Sequence, residues 1–183
     1  MDAKTINRLN RKGRHSIRCK NRNYFEGWYF VTLCSQNRER EFGDIHNECM
    51  VLNVVGLLVA LRWQWLQWFY PNVLLDEFIV MPDHLHGIIK LGYCRGAWPS
   101  APTGLTLLSA GVFAFTNKPK PLGRLIGAFK TTSTKITCFG QGNKIWQRDF
   151  NDRVVRSKDE LEQIRRYIRE NPIHWKSELH KLC

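Results

Sequence analysis

Two periods of hydrophobic positions divide the chain into predicted strands and helices. Stretches rich in aromatic and β-branched residues, or alternating with a period of two, predict strands, and apolar residues that recur every three to four positions predict helices. The predicted strands cover 27–34, 49–52, 78–91 with a break at 81–83, and 144–156; the predicted helices cover 54–70, 121–138 and 158–171.

The ends of two helices carry recognisable capping residues. Asn53 stands at the N-cap of the first helix, and Ser157 with Glu160 forms a capping box for the last one. Pro172 is expected to stop that last helix, because proline has no backbone N–H to continue it. The apolar stripe of the first helix is expected to be its core face; it consists of Val54, Leu57, Leu58, Leu61, Trp65 and Trp68.

The order of the main elements predicts the fold class. Leaving aside the short strand at 49–52, the order is β-α-β-β-α-β followed by a helix, which is the split βαβ pattern. The sequence therefore predicts an α+β domain with a ferredoxin-like antiparallel sheet, helices on one face of that sheet, and an additional C-terminal helix.

The chain is expected to divide into a basic N-terminal arm at 1–23, a single domain at 24–176 and a short tail at 177–183. A long connection at 92–120, with Gly, Pro and Ser among modest apolar patches, interrupts the domain. The arm holds eight Lys and Arg residues against one acid and has no apolar period. We expect it to become ordered only against phosphates, with a merely solubilising tail as the alternative.

The charge of the chain indicates the class of partner. Lys and Arg number 28 against 16 Asp and Glu, giving a net charge of +12, and the pI is about 9.7. This excess is typical of nucleic-acid-binding proteins.

None of the six cysteines forms a Cys-x-x-Cys motif, and scattered thiols without a signal peptide indicate a cytoplasmic protein. No apolar run is long enough to span a bilayer, so no membrane partner is expected.

His84 and His86 open the strand that follows the predicted break. Side chains alternate across a strand, so both imidazoles face one side while Leu85 faces the other. Two imidazoles on one rigid face can hold one metal ion. Gly87 follows directly and would let another backbone or a phosphate come close. A His-x-His pair also arises by chance on an exposed strand, so the pair by itself leaves metal binding open. For the neighbouring Asp83, a turn role is favoured over one in orienting a histidine.

Tyr167 and Asn171 lie four residues apart on the last predicted helix and therefore share one face. A tyrosine hydroxyl becomes a useful nucleophile when a metal polarises the group that it attacks. An asparagine carbonyl is a hard oxygen ligand, suited to Mg²⁺ or Mn²⁺ beside two imidazoles. The residues alone leave simpler roles open, with Tyr167 as a packed ring and Asn171 as a helix C-cap before Pro172.

With these residues in view, the chain resembles the single-tyrosine HUH transposases, and within them the REP-associated tyrosine transposases. The resemblance covers roughly 18–176 and combines the run Met81–Gly87 with a late Tyr-x-x-x-Asn-Pro at 167–172. The other matching segments are Tyr29–Arg38, Phe42–Gly43, Asn72–Val73, Ile126–Lys130, Trp146–Arg148 and Ile164–Arg166. Residues 149–153 depart from the pattern, because relatives usually carry an aromatic pair followed by Glu-His there.

The resemblance implies a specific activity. His84 and His86 would bind Mg²⁺ or Mn²⁺, Asn171 would supply a third ligand, and Tyr167 would attack a DNA phosphate. The family binds hairpin-forming single-stranded DNA, cuts beside the hairpin, and leaves a 5′-phosphotyrosine and a free 3′-OH without a nucleotide cofactor. It includes monomers and dimers, so a homodimer stays open, and the implied location is bacterial and nucleoid-associated.

The DNA backbone is expected to be held by the arm and by two residues of the domain. The predicted contacts are Arg14, Arg18 and Lys20 in the arm, with Lys130 and Arg148 in the domain. Trp146 would either stack a base or lie buried in the sheet, and burial is favoured.

Two other classes of protein remain as alternatives. Conjugative relaxases and rolling-circle initiators share the chemistry, but they place the tyrosine before the histidine pair or follow it with a lysine. A non-catalytic ferredoxin-like protein that binds nucleic acid and regulates without cutting is the alternative from another class.

Overall fold

The computed structural model describes residues 24–92, 119–137 and 144–179, with side chains described as far as Trp175. The predicted arm at 1–23, most of the connection at 92–120 and the last residues of the tail lie outside these ranges.

A four-stranded antiparallel sheet forms the centre of the domain. Its strands are β1 (Gly27–Cys34), β4 (Val73–Met81), β5 (His84–Leu91) and β6 (Asn151–Val155), in the order β4-β5-β1-β6. The helices are α1 (Val54–Phe69), α2 (Leu122–Thr137) and α3 (Lys158–Leu179). This topology confirms the predicted fold class: each of the two crossover helices joins two strands that run in the same direction, with an antiparallel strand between them.

The two faces of the sheet carry different helices. Helices α1 and α2 pack on the face that contains Tyr29, Leu85 and Ile89. The opposite face contains Phe30 and Ile88, and it packs against α3. Because side chains alternate along β5, His84 and His86 lie on the α3 face while Leu85 lies on the other, as the sequence predicted.

A small hairpin precedes α1. It pairs β2 (Gly43–His46) with β3 (Cys49–Leu52). Its turn residues Asn47 and Glu48 have φ of 49° and 61°, which is the left-handed conformation that a two-residue hairpin turn requires. The strand β3 was predicted and β2 was not, because four residues with a single apolar side chain carry no period.

The predicted strand at 144–156 is shorter in the structure. Only Asn151–Val155 is a strand, and Trp146 forms an isolated bridge with Ser35. Trp146 is buried, as expected, and its indole N–H donates to Ser133 Oγ at 2.8 Å. At the other end of the sheet, β4 begins at Val73, before the predicted start at position 78.

The predicted core face of α1 is wrong. The buried side of the helix contains Val59, Trp63 and Leu66, whereas much of the predicted stripe is exposed. The strongly exposed members are Val54, Leu57, Leu61 and Trp68. The helix is apolar on nearly every side, so periodicity could not select the face that packs on the sheet. The N-cap was correct, since the Asn53 side chain accepts a hydrogen bond from the Gly56 N–H at 2.9 Å.

Gly87 serves packing inside the domain. A Cβ at this position would lie 2.4 Å from Cζ2 of Trp63, which is fully buried on α1. The close approach expected at this glycine is therefore made by an indole ring on the α1 face, and neither a backbone nor a phosphate fills that space.

The last helix continues through Pro172 and ends at Leu179, so the expected stop is wrong. Proline's fixed φ suits a helix, and its cost is one lost backbone hydrogen bond and a clash with the preceding turn. Pro172 and Trp175 are both buried, and this packing offsets that cost. No helix in the described part of the chain is both long and apolar enough to cross a bilayer.

Candidate active site

His84 and His86 lie side by side at the start of β5. They pair across the sheet with Cys34 and Thr32 of β1. Their ring centroids are 4.4 Å apart, and both side chains are buried. The strand thus presents two imidazoles in a fixed relative position on the α3 face.

Each imidazole uses its Nδ1 atom for a partner within the protein. Nδ1 of His86 lies 2.9 Å from the hydroxyl of Thr32, and Nδ1 of His84 contacts a carboxylate oxygen of Asp83. Partners at Nδ1 fix ring orientation and leave Nε2 to act as a metal ligand or proton acceptor. Asp83 occupies the turn as expected, and it also orients His84, the role that was not favoured from the sequence.

Tyr167 reaches the same site from α3. Its hydroxyl is 3.4 Å from Nε2 of His86, and the two ring centroids are 5.3 Å apart. Phe30 supports the phenol edge-on from the sheet, at 6.1 Å between centroids. The tyrosine is half-buried, with its apolar ring against the core and its hydroxyl at the imidazole pair. Tyr167 and His86 therefore meet within one chain.

Asn171 lies one turn after Tyr167 and is buried. Since α3 continues past it, Asn171 is an interior helix residue, which removes the C-cap role. Within the described part of the chain its side chain has no hydrogen-bonding partner. One turn later Trp175 packs near His84, with 5.8 Å between the ring centroids. Three successive turns of α3 thus contribute Tyr167, Asn171 and Trp175 to the face that covers the histidines.

The electrostatics of the site favour neutral imidazole at His86. Burial lowers the pKa of His86 well below its ordinary value of 6.5, and the charges of His84 and Arg38 act in the same direction. Burial opposes ionisation of Asp83, but its hydrogen bond to His84 and the nearby Arg38 outweigh burial and lower its pKa. At neutral pH the site therefore holds an ionised Asp83 beside a neutral His86, and neutral imidazole is the form that binds metal.

The donor set fits a divalent ion that takes nitrogen and oxygen ligands. No group of three or more His, Cys, Asp and Glu side chains in the described ranges is arranged to hold a metal. The histidine pair therefore needs an oxygen donor of another type, and the buried amide of Asn171 is on the helix face that covers the pair. Two imidazoles and an amide oxygen leave coordination positions for water or a phosphate oxygen, as Mg²⁺ and Mn²⁺ require.

The structure describes two of the five predicted DNA contacts, Lys130 and Arg148. Arg14, Arg18 and Lys20 lie outside the described residues. The ammonium of Lys130 donates to the backbone carbonyls of Gln147 and Asp149, both at 2.8 Å, and more weakly to that of Arg148 at 3.3 Å. Arg148 is exposed and lines an open groove beside α2. A phosphate contact for either residue stays a prediction.

Sequence reasoning did not single out Thr32, Arg38 or Trp175. Arg38 lies 3.4 Å from Asp83, and its side chain is 54% exposed. Its φ of 59° and that of Asn37, 57°, place two consecutive non-glycine residues in the left-handed region. Such conformations cost energy and cluster at functional sites. Residues two apart on a strand share a face, so the sequence places Thr32 on the same face of β1 as Phe30. Only the register between the strands pairs Thr32 with His86.

Comparison with known proteins identifies a relative by sequence and a solved structure with a similar fold. No protein-family model matches the chain. An uncharacterized protein of Haemophilus influenzae is 34% identical over 175 residues, covering 90% of this chain and 91% of the relative. A solved structure of a REP-associated tyrosine transposase bound to a REP hairpin is 17% identical and covers 84% of this chain and 71% of that chain, with a TM-score of 0.55. This similarity shows a shared fold.

A second solved structure gives a weaker similarity. It is a candidate transposase from Deinococcus radiodurans, 17% identical, covering 87% of this chain and 96% of that chain. Its TM-score is 0.40, which is too low to support an argument.

Proposed function

The chain belongs to the protein family of the Haemophilus influenzae relative, and we propose that it is a transposase-type enzyme that cuts and rejoins single-stranded DNA. Its reaction is metal-dependent endonuclease and strand-transfer chemistry of the HUH type, with Tyr167 as the nucleophile. The substrate is single-stranded DNA that contains a hairpin, and the cut lies beside that hairpin.

One observation carries this proposal. The hydroxyl of Tyr167 and Nε2 of His86 are 3.4 Å apart, although 81 positions separate the two residues in sequence. A nucleophile and a metal ligand that act on one phosphate must lie near each other, because the metal and the nucleophile both contact that phosphoryl group.

Each residue of the site has its own role in the proposed reaction. His84, His86 and Asn171 would hold Mg²⁺ or Mn²⁺, with Asp83 and Thr32 fixing the orientations of the two imidazoles. When bound, the ion would neutralise charge on the scissile phosphate. Tyr167 Oη forms a bond to phosphorus as the bond from phosphorus to the 3′ oxygen breaks. The phenol loses its proton to solvent, and the departing 3′ oxygen gains one.

The covalent product explains why strand transfer is favoured over hydrolysis. A phosphotyrosine retains the energy of the original phosphodiester, so a DNA 3′-OH can attack it and restore the starting bond type. Tyr167 is half-buried, and its ring is held in place against Phe30. The same residue can therefore cut one strand and join another.

Hairpin DNA is proposed as the substrate from the net charge and the fold. The charge of +12 favours a polyanionic partner, and the transposase structure of the same fold is bound to a REP hairpin. A homodimer stays a prediction. The pair formed by Tyr167 and His86 needs no second chain, so a monomer suffices for the proposed cut.

The test is formation of a protein–DNA adduct on a denaturing gel. The purified protein is incubated with end-labelled single strands bearing hairpins, in Mn²⁺ or in EDTA. We expect an adduct in Mn²⁺ only, lost in Tyr167→Phe and retained in the control Tyr24→Phe, which removes a hydroxyl on the other side of the sheet. His86→Ala should abolish the adduct, whereas His46→Ala on the exposed hairpin should not.

Binding measured separately distinguishes the alternative function. Tyr167→Phe should bind the same hairpin strands as tightly as the wild type. Hairpin binding by the wild-type protein with no adduct under any metal condition would instead identify a regulatory protein without nuclease activity.

A further inference from the structure

An open groove of about 800 Å³ lies between α2 and the segment that precedes β6. Lys135 of α2 with Lys144 and Arg148 of that segment line it, and all three are exposed. No described residue of the lining is a carboxylate, and none of these three cations has an ion-pair partner among the described residues. The groove therefore presents uncompensated positive charge.

Three other clefts of the described chain differ in charge. One is lined by Asp76, Glu77 and Glu162 with two arginines, and another by Asp159 and Glu160 with two more. A smaller one, beside the start of α2, includes Asp152. Each of the three thus contains at least one carboxylate, which repels phosphate, so among these four clefts the groove along α2 matches a polyanion best.

The groove is connected to the candidate active site through three adjacent backbone segments. The N–H of Gln147 donates to the carbonyl of Cys34 at 3.0 Å, and the N–H of Ser35 donates to the carbonyl of Asp83 at 2.8 Å. Hydrogen-bonded segments lie about 4.8 Å apart, so the groove edge is roughly 10 Å from Asp83 and His84. Gln36 and Asn37 line the near end of the groove, and Arg38, the next residue, contacts Asp83.

Lys130 gives the groove a rigid wall. Its ammonium binds three consecutive backbone carbonyls, 147–149, and lies 5.7 Å from the centre of the Phe150 ring. Trp146, which also lines the groove, is fixed by its hydrogen bond to Ser133. The backbone that carries Arg148 is therefore held in one position before any partner binds, which reduces the ordering cost of binding.

We propose that this groove binds the single-stranded DNA segment that leads to the cleaved phosphate. The proposal rests on the proposed function and adds the path of the strand. Phosphates lie against Lys135, Lys144 and Arg148, and Arg38 contacts the phosphate next to His84. A cleft of this size accommodates a few nucleotides of one strand.

The experiment measures how binding depends on salt, in EDTA so that no cleavage occurs. Fluorescence anisotropy is recorded for a labelled hairpin with a single-stranded flank at several salt concentrations. Each phosphate contact to a single strand contributes about 0.7 to the slope of log K against log salt. The triple variant Lys135→Gln, Lys144→Gln, Arg148→Gln should therefore lower the slope by about 2 relative to the wild type.

The matched control neutralises three exposed cations away from the groove, namely Arg156, Lys158 and Arg166. It should keep the wild-type slope, and thermal unfolding should show that both triple variants fold. Equal slopes for the groove variant and the wild type would overturn the proposal, as would equal losses in the two triple variants or no binding by the wild type. Adduct formation with an unchanged groove slope would refute the strand path alone, whereas a lowered slope without any adduct would refute the cutting reaction alone.

Discussion

Arg165 of α3 binds the carboxylate of Asp76 of β4 through two parallel hydrogen bonds. Its Nε donates to Oδ1 at 2.8 Å, and a terminal nitrogen donates to Oδ2 at 2.5 Å. One helical turn later, Arg169 donates to Glu77 at 2.9 Å. Two consecutive carboxylates of one strand therefore bind two arginines of the helix that carries the candidate nucleophile.

A β-bulge makes this double contact feasible. Neighbouring strand residues normally face opposite sides of a sheet, but the pairing of β4 with β5 shifts register between Leu75 and Phe78. The shift frees Asp76 and Glu77 from strict alternation, so both reach α3. Because Arg165 and Arg169 flank Tyr167 in sequence, the two ion pairs fix the rotation and position of the helix at the tyrosine.

Asp76→Asn should loosen this helix. A bidentate contact between an arginine and a partly buried carboxylate contributes about 1–2 kcal/mol, so urea unfolding should show a loss of that order. Hydrogen exchange of α3 amides near Tyr167 should accelerate. The control Glu77→Gln breaks the more exposed pair and should cost less than about 1 kcal/mol. If the α3 amides of Asp76→Asn exchange as slowly as those of the wild type, the apolar contacts alone hold α3.

The same pair predicts a dependence of stability on pH. The hydrogen bond from Arg165 lowers the pKa of Asp76 below its ordinary value of 3.8, against the opposing effect of burial. A lowered folded-state pKa stabilises the fold above the unfolded value, and this contribution is lost as the pH falls through the folded value. The stability difference between wild type and Asp76→Asn should be constant from neutral pH to about 5 and vanish at lower pH. Urea unfolding at several pH values measures it, and a difference that grew on acidification would contradict the assignment.

Gly87→Ala should destabilise the domain. The added methyl would lie 2.4 Å from the fully buried Trp63 ring, and overpacking of this kind costs about 1–3 kcal/mol. Gly127→Ala is the matched control, because nothing lies within 4 Å of its Cβ position on α2. That variant should gain roughly 0.5–1 kcal/mol from helix propensity. Thermal or urea unfolding of both variants compares them, and equal effects would exclude the packing explanation.

Lys130→Met should lower stability by about 1–3 kcal/mol, because three carbonyls lose a charged donor. Lys135→Met, five residues along the same helix, removes an exposed lysine and should change stability by less than about 0.5 kcal/mol. Urea unfolding separates the two variants. If Lys130→Met unfolds like the wild type while DNA binding falls, Lys130 contacts DNA directly, as the sequence suggested, and its carbonyl contacts contribute little.

Thr32→Val should weaken metal binding. The substitution keeps the shape of the side chain but removes the hydroxyl 2.9 Å from Nδ1 of His86. Loss of such a supporting contact typically lowers metal affinity about 10–100-fold. Titration calorimetry with Mn²⁺ measures the change, and Thr32→Ser, which keeps the hydroxyl, should retain near wild-type affinity. Equal affinity in all three proteins would show that Thr32 does not orient the ligand.

Local pattern was enough for much of the fold and for the pairing of residues within one element. Alternation along β5 put His84 and His86 on one face, and helical spacing put Tyr167 and Asn171 on another. The Ser157 half of the predicted capping box was also correct, since the Glu160 N–H donates to Ser157 Oγ at 3.1 Å, whereas the Glu160 carboxylate accepts from the N–H of Arg156 at 2.8 Å. These features depend on neighbours within a few residues, so the sequence states them directly.

Tertiary structure alone decided how those elements meet. The face of α1 that packs on the sheet, the continuation of α3 through Pro172, and the contact between Lys130 and the 147–149 carbonyls all depend on partners distant in sequence. The 3.4 Å approach of Tyr167 to His86 is of the same kind. Periodicity gives the direction of a side chain relative to its own element, whereas packing energy summed over the whole core sets the position of one element against another.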